Sequence, residues 1–574
     1  MSLKSEIQAH LDHHSPFETI DEFIKRKYKN EDIVEIFTQL HNENDLDLIQ
    51  VYSELKNNKT ENFFIIRHLL TDALPNLKIK NYSNLLKTLE IIIIEAGDDL
   101  MSHSPLDSFE ALLDTNLNFA CDILEHLKSN EYKVNFTAKT LISIAKQNLA
   151  LCLNKAEELI LLKKDNLSAE VVLGLGQIEY TLDEILLEKS IDIICSVSYK
   201  DSDEKLISAS LHSIIQISQN KINSYSKIEN HIKNIINYTN HSTMIIHVCM
   251  VQLFHHFEKL PTGIKTVLLE TIPFIKIESN NTIHYLDMLL SRIFKQKHTQ
   301  LLKLLENFFY NINYDINLDK FNNFSSYLLK KENLNQLSSI CTRWFLSRKI
   351  SLNYYASELL SNHEVELQFD LKQLSNQFSK DHLFLAKKAC GWCFMNPYTA
   401  ISLIFSVFKE CTPDQNKAIC EVIFNPLLIS YPRKVSEYLQ KNKDKVNKEK
   451  QKYIDNLIED LEKYHQALKL SKDLKEITIN PSQHFEYRRY HQQKMNHIYQ
   501  KSRKESFFAS LFTENTLLYG KSTAFIIQTA EGSVRQTMPL QSISHTIDFP
   551  SMEILDSTSL HQSLLSFKVE GTDK

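Results

Sequence analysis

Glycine and proline are scarce in this chain, 8 and 12 in 574 residues, where ordinary usage is about 7% and 5%. Turns that need positive φ must therefore be few, which argues against β-rich and Rossmann-type architectures. Long apolar runs are missing as well. The most apolar stretches, 91–94 and 401–408, fall far short of the ~20 residues that span a bilayer. The opening MSLKSEIQAHLDHH has no apolar core of the kind an export signal carries. We therefore expect no membrane association and a cytoplasmic location. Nine cysteines, at 121, 152, 195, 249, 341, 390, 393, 411 and 420, make no small-domain disulfide framework, which fits a reducing compartment. A strong charge of one sign is also lacking. The net −6 divides into −7 over residues 1–480 and +1 over 481–574, so a polyanion-binding surface over the whole molecule is excluded.

What the chain does have is apolar material at helical spacing: 43% hydrophobic and 24% charged residues can fill a core. Ser15, Pro16 and Glu18 supply an N-cap hydroxyl, a proline at the first helical position and a capping-box carboxylate in the order a helix start requires. Segments of 12–20 residues follow, broken by short stretches of Asn, Asp, Ser and Lys. Helices are expected near 83–96, 108–128, 137–163, 167–187, 205–219, 227–238, 243–257, 263–271, 281–295 and 299–311. In 201–219, Asp201 is placed to cap, and Leu206, Ile207, Leu211, Ile214, Ile215 and Ile217 form a stripe wide enough to need partners on more than one side.

Phe394-Met395-Asn396-Pro397 and Ile423-Phe424-Asn425-Pro426 each precede an apolar helix, and their 29-residue spacing reads as an internal repeat. The fold expected is all-α: a superhelical solenoid of stacked helix pairs over residues 1–480, then a basic aromatic helix over 481–508 and a small β-rich C-terminal module over 509–574. By pitch and texture the first part resembles solenoids of the HEAT, armadillo or tetratricopeptide class, while meeting the consensus of none. The lysine-rich run 441–452 reads as a solvated loop and helix face. In the last module, 523–529 and 533–538 around Glu531-Gly532 read as a hairpin, with 544–549 and 565–569 as further strands.

Each chemical motif falls short of its full pattern. Cys390-Gly391-Trp392-Cys393 has redox spacing but lies between helices, with no strand to present the thiols and no second pair for zinc, so it reads as packed core. Gly520-Lys521-Ser522 lacks the earlier glycine and the following helix of a phosphate loop. His255-His256, the group His10, His13 and His14, and His363-Glu364 each lack a completing ligand. Pro413-Asp414 with Lys417 reads as a helix start in which Thr412 caps. No catalytic residue, metal or cofactor is expected.

The segment 485–504 stands apart with a net charge of +5. Arg488, Arg489, Lys494, Lys501, Arg503 and Lys504 interleave with Tyr487 and Tyr490, the residue types that contact phosphate and stack on bases. The same residues have two alternative readings, contact with an acidic protein partner and docking on acidic residues of their own chain. The leading expectation for function is a non-enzymatic scaffold or adaptor whose helical surface binds a protein partner in a larger assembly. A nucleic-acid-binding component of a bacterial, antiviral-defence complex is the alternative, since the Ile, Lys and Asn content fits an AT-rich gene. An enzyme with an active site gathered from distant residues is the third.

Overall fold

A computed structural model describes residues 3–25, 30–53, 63–96, 104–180, 184–197, 202–220, 225–295, 299–312, 318–361, 363–374, 378–471, scattered positions from 482 to 500, 522–529, 532–539 and 550–572. Apart from one two-stranded hairpin, the regular structure of these residues is helical. The chain packs as two compact units, Met1–Tyr327 and Leu328–Lys574.

Unit 1 begins with α1 (Leu3–Leu11), α2 (Pro16–Lys25), α3 (Asn30–Glu43), α4 (Leu48–Ser53), α5 (Phe63–Ala73) and α6 (Tyr82–Ala96). It continues with α7 (Ser104–Asp114), α8 (Leu117–Ser129), α9 (Phe136–Gln147), α10 (Leu149–Leu161), α11 (Asp165–Gln177) and α12 (Glu184–Cys195). Then come α13 (Glu204–Ile217), α14 (Tyr225–Tyr238), α15 (Thr243–His256), α16 (Thr262–Leu269), α17 (Asn280–Lys295) and α18 (Thr299–Ile312). The capping box is formed as expected: Ser15 N–H donates to Glu18 Oε2 at 3.1 Å and Glu18 N–H to Ser15 Oγ at 3.2 Å.

Three of the expected helices are each broken in two, 167–187 being divided between α11, which ends at Gln177, and α12, which begins at Glu184. Segment 108–128 parts at Asn116, whose side chain accepts from Asn118 and Phe119 N–H, and segment 137–163 parts at Asn148, which accepts from Leu151 N–H. Each asparagine satisfies orphan amides of a new helix while the apolar pattern runs on past it. The capping expected of Asp201 lies outside the described residues. Asp203 stands at the N-cap of α13 and makes no side-chain capping bond.

Alternate helices stack: α9 lies against α7 and α11, α11 against α13, α13 against α15 and α15 against α17, while α10 meets α12 and α14 meets α16. The stripe on α13 is fully inside, with Leu206, Ile207, Leu211, Ile214, Ile215 and Ile217 all buried.

Side-chain bonds fasten successive layers, at separations that run from 29 residues between Lys139 and Glu110 to 43 between Lys133 and Glu90. Lys164 Nζ donates to Lys128 O, Lys189 Nζ to Asn154 Oδ1, Asp203 N–H to Asp165 Oδ2 and Arg292 Nη1 to Phe254 O, at separations of 36, 35, 38 and 38 residues. The two Asn-Pro sites of the 29-residue echo differ in structure. Asn396 caps α23 (Pro397–Glu410) by accepting from Thr399 N–H, whereas Asn425 has non-helical backbone at a kink and precedes a cis peptide.

After α19 (Asn322–Leu328), unit 2 contains α20 (Leu334–Leu346), α21 (Ile350–Ser361), α22 (Phe378–Cys393), α23, α24 (Pro413–Val422), α25 (Pro432–Asn442) and α26 (Lys448–Ser471). The hairpin β1 (Ser522–Thr529) and β2 (Gly532–Pro539) is antiparallel, pairing Thr529 with Gly532. It bears out the expected hairpin. The expected strand 544–549 lies outside the described residues. The expected strand 565–569 is helix. Asp556 accepts from Ser559 N–H and starts α28 (Ser557–Val569), which follows α27 (Ser551–Leu555) and packs on α22. The C-terminal segment is therefore not uniformly β-rich: the burial of Leu560 and the docking on α22 favour a helix over a short ambiguous pattern.

The start of α27 rests against α26 and the residues just before α25. Ser551 Oγ donates to the carbonyls of Ile429 and Ser430, and the Tyr464 hydroxyl lies 3.8 Å from Met552 Sδ.

Candidate functional site

The Cys390-Gly391-Trp392-Cys393 segment forms the last turn of α22, where α28 crosses it. A Cβ on Gly391 would stand 3.0 Å from Phe567 Cβ and 3.1 Å from Lys568 N, so any larger residue would push α28 outward by a few tenths of an ångström or more. Lys388 is buried, and its amine donates to Lys568 O at 2.5 Å, near the end of α28, while lying 5.1 Å from the Phe384 ring. Lys387 pairs with Glu570 at 2.8 Å, and Gly571, at φ +63°, ends the helix. Lys568 in turn sits over Trp392 at 5.0 Å.

The thiols are inert in this setting. Both are buried and unbridged, and burial pushes Cys393 up to about 12 and Cys390 higher. A reactive cysteine needs the opposite, an exposed thiolate in a positive field.

The other motifs resolve in the same direction. β1 starts at Ser522, so a strand and not a helix follows Gly520-Lys521. His255 and His256 end α15, where His255 packs 6.1 Å from the Tyr285 ring. His10 stacks on His14 at 4.1 Å and lies 2.9 Å from Thr19 Oγ1. Thr412 is the N-cap residue before Pro413, although its side chain makes no capping bond. Among the described residues no group of three or more His, Cys, Asp or Glu side chains is arranged to hold a metal, and no helix is long and apolar enough to cross a membrane.

Of the basic segment, Arg488, Arg489 and Tyr490 are described. All three are helical and exposed, Tyr490 at 60%, with Phe485 at 68% and Met495 at 56% beside them. Arg488 and Arg489 make no ion pair among the described residues. Tyr487, Lys494, Lys501, Arg503 and Lys504 lie outside the described residues.

Several structural roles left no readable pattern. In the lysine run 441–452, Lys450 is buried and donates to Lys409 O and Cys411 O, both at 2.9 Å, at the end of α23. His363-Glu364 opens a non-helical segment whose alternate amides at Val365, Leu367 and Phe369 donate to the hydroxyls of Thr399, Ser402 and Ser406, at 3.1, 3.0 and 3.0 Å. The only local signal for this ladder is hydroxyls recurring at three and four residues on an otherwise apolar helix.

Compared with protein-family models, with curated proteins and with solved structures, the chain matches none.

Proposed function

We propose that this chain is a non-enzymatic scaffold, a solenoid of HEAT or armadillo character that binds a protein partner within an assembly. The reading rests on the layer-to-layer bonding of unit 1. Neighbouring layers are fastened to one another along the unit by side-chain bonds, and such an array presents a long contact surface that does not depend on any single pocket. The buried lysines and the paired cysteines of unit 2 have structural roles: Lys388 and Lys450 hold helix ends, and Cys390 and Cys393 fill a helix crossing.

The test is affinity purification of the tagged full chain from its native host after nuclease digestion, followed by light scattering of the purified species. A protein complex of fixed stoichiometry supports the scaffold. Recovery of the chain alone contradicts it.

The exposure of Arg488, Arg489 and Tyr490 favours a second reading, in which this segment contacts nucleic acid. Phosphate contacts release counterions, so binding of an unstructured oligonucleotide would weaken steeply with salt and would be lost in Arg488→Glu/Arg489→Glu. Salt-independent retention, or retention unchanged in the variant, contradicts that reading.

A further inference from the structure

Three stacked helices of unit 1, α9, α11 and α13, begin around a cleft of about 500 Å³, a volume suited to a small ligand. Lys128, Lys133, Lys164 and Lys205 line it. Two other clefts of unit 1 open at the starts of stacked helices, one at α4 and α6 and one at α15 and α17. The first carries two lysines, Lys78 and Lys80, and the second one, Lys276. The gathering of cations at α9, α11 and α13 is therefore not a necessary product of stacking.

The carboxylates in the cleft are mostly committed to backbone. Glu90 accepts from Lys133 N–H and Glu170 from Thr137 N–H. Of the lysines, Lys128 lies between Glu125 and Glu158, and Lys164 gives one proton to Lys128 O at 3.2 Å. The amines of Lys133 and Lys205 make no ion pair among the described residues. The first turn of α11 has no side-chain cap at Lys164, so the amides of Asn166 and Leu167 add donors on the cleft wall.

We propose that this cleft binds a small, multiply charged phosphate compound, held by the amines of Lys133, Lys164 and Lys205 and by the first-turn amides of α11. Several ammonium groups around one space suit a polyvalent oxyanion, because lysine meets phosphate as a mobile point charge. A singly charged carboxylate would leave part of that charge unmatched. The site is independent of the scaffold surface and could hold a regulatory ligand whatever partner the array binds.

The floor adds a pH dependence. Glu170 is buried at 8% exposure, and its burial pushes the carboxyl up to about 7 against the opposing pull of Thr137 and Lys205. Protonated, it ceases to repel an anion. The other titratable groups facing it are Glu90 on α6, Glu131, Tyr132 and Lys133 in the loop before α9, Lys128 on α8, Lys164 before α11 and Lys205 on α13.

The experiment is calorimetric titration of the full chain with inorganic pyrophosphate at about pH 6 and pH 8. Lys133→Glu/Lys205→Glu should weaken binding by about tenfold or more, since two charged contacts are reversed. Lys276→Glu, in the α15/α17 cleft, should leave it unchanged. Glu170→Gln should reduce the fall in affinity between the two pH values. If the double reversal lowers the melting temperature, Lys133→Gln/Lys205→Gln, which removes charge without reversing it, must still weaken binding several-fold. No binding at millimolar pyrophosphate, or binding that both lysine pairs leave intact, overturns the proposal.

Discussion

The two units use buried charge at opposite ends of their helices. In unit 1 a carboxylate from a neighbouring helix takes up helix-start amides: Glu170 on α11 accepts from Thr137 N–H, earlier in the chain, at 2.9 Å, and Asp287 on α17 accepts from Asn323 and Phe324 N–H, later in the chain, at 3.0 and 2.8 Å. In unit 2 a lysine takes up helix-end carbonyls, Lys450 at the end of α23 and Lys388 at the end of α28. Each sign matches the helix dipole it meets. Charges of either sign thus serve as fasteners between one helix and the end of another. Because both tryptophans, Trp344 and Trp392, lie in unit 2, tryptophan fluorescence follows that unit alone, while circular dichroism follows both.

The largest effect should come from emptying the core of unit 1. Leu211→Ala on α13, fully buried, should cost about 2–5 kcal/mol, seen in denaturant titration by circular dichroism, with the tryptophan midpoint unmoved. Gly391→Leu should do the reverse. It wedges α28 from α22 at a cost of about 1–3 kcal/mol and should lower the tryptophan midpoint.

The units should also part in alkali. Glu170 has its folded value raised, so its contribution is complete below the unfolded carboxyl value and is lost as pH rises through about 7. Glu170→Gln should therefore match wild type near pH 4.5 and exceed it at pH 8 by on the order of 1–3 kcal/mol. Lys388 is lowered by burial to about 8, so unit 2 should gain stability as pH rises from 8 toward the ordinary lysine value, read as a rising tryptophan midpoint. Cys393→Ser should cost about 1 kcal/mol in unit 2, and the native thiols should not react with an aromatic disulfide reagent until the unit unfolds. The smallest effect belongs to Arg488→Glu/Arg489→Glu. With both side chains exposed, melting should move by less than about 0.5 kcal/mol equivalent. A larger drop would mean that the segment docks on its own chain.

The sequence was most readable where cause and effect lie within a few residues. The Ser15–Glu18 box, the α13 stripe and the β1–β2 hairpin are local and were legible. Asn116 and Asn148 are masked in the sequence because the apolar spacing continues across them, though an asparagine before a fresh run is itself a cap signal. Asp556, three before Ser559, carried the same signal for α28 and was outweighed by the strand-like 565–569. Gly391, flanked by buried cysteines inside a helix, was the trace of a close helix crossing. The fasteners could not be read, since Glu170 and Thr137 are 33 residues apart and Lys388 and Lys568 are 180, and nothing local marks such pairs. For the basic segment, the sequence supplied the charge and the structure the exposure of Arg488 and Arg489.

The central claim, that two separately fastened helical units carry the chain, is tested most directly by following one denaturant titration of wild type, Leu211→Ala and Gly391→Leu with tryptophan fluorescence and circular dichroism together. Leu211→Ala should shift the dichroism curve while leaving the fluorescence midpoint in place, and Gly391→Leu should lower the fluorescence midpoint while a dichroism phase remains at its wild-type position. Coincident curves that move together in both variants would contradict it.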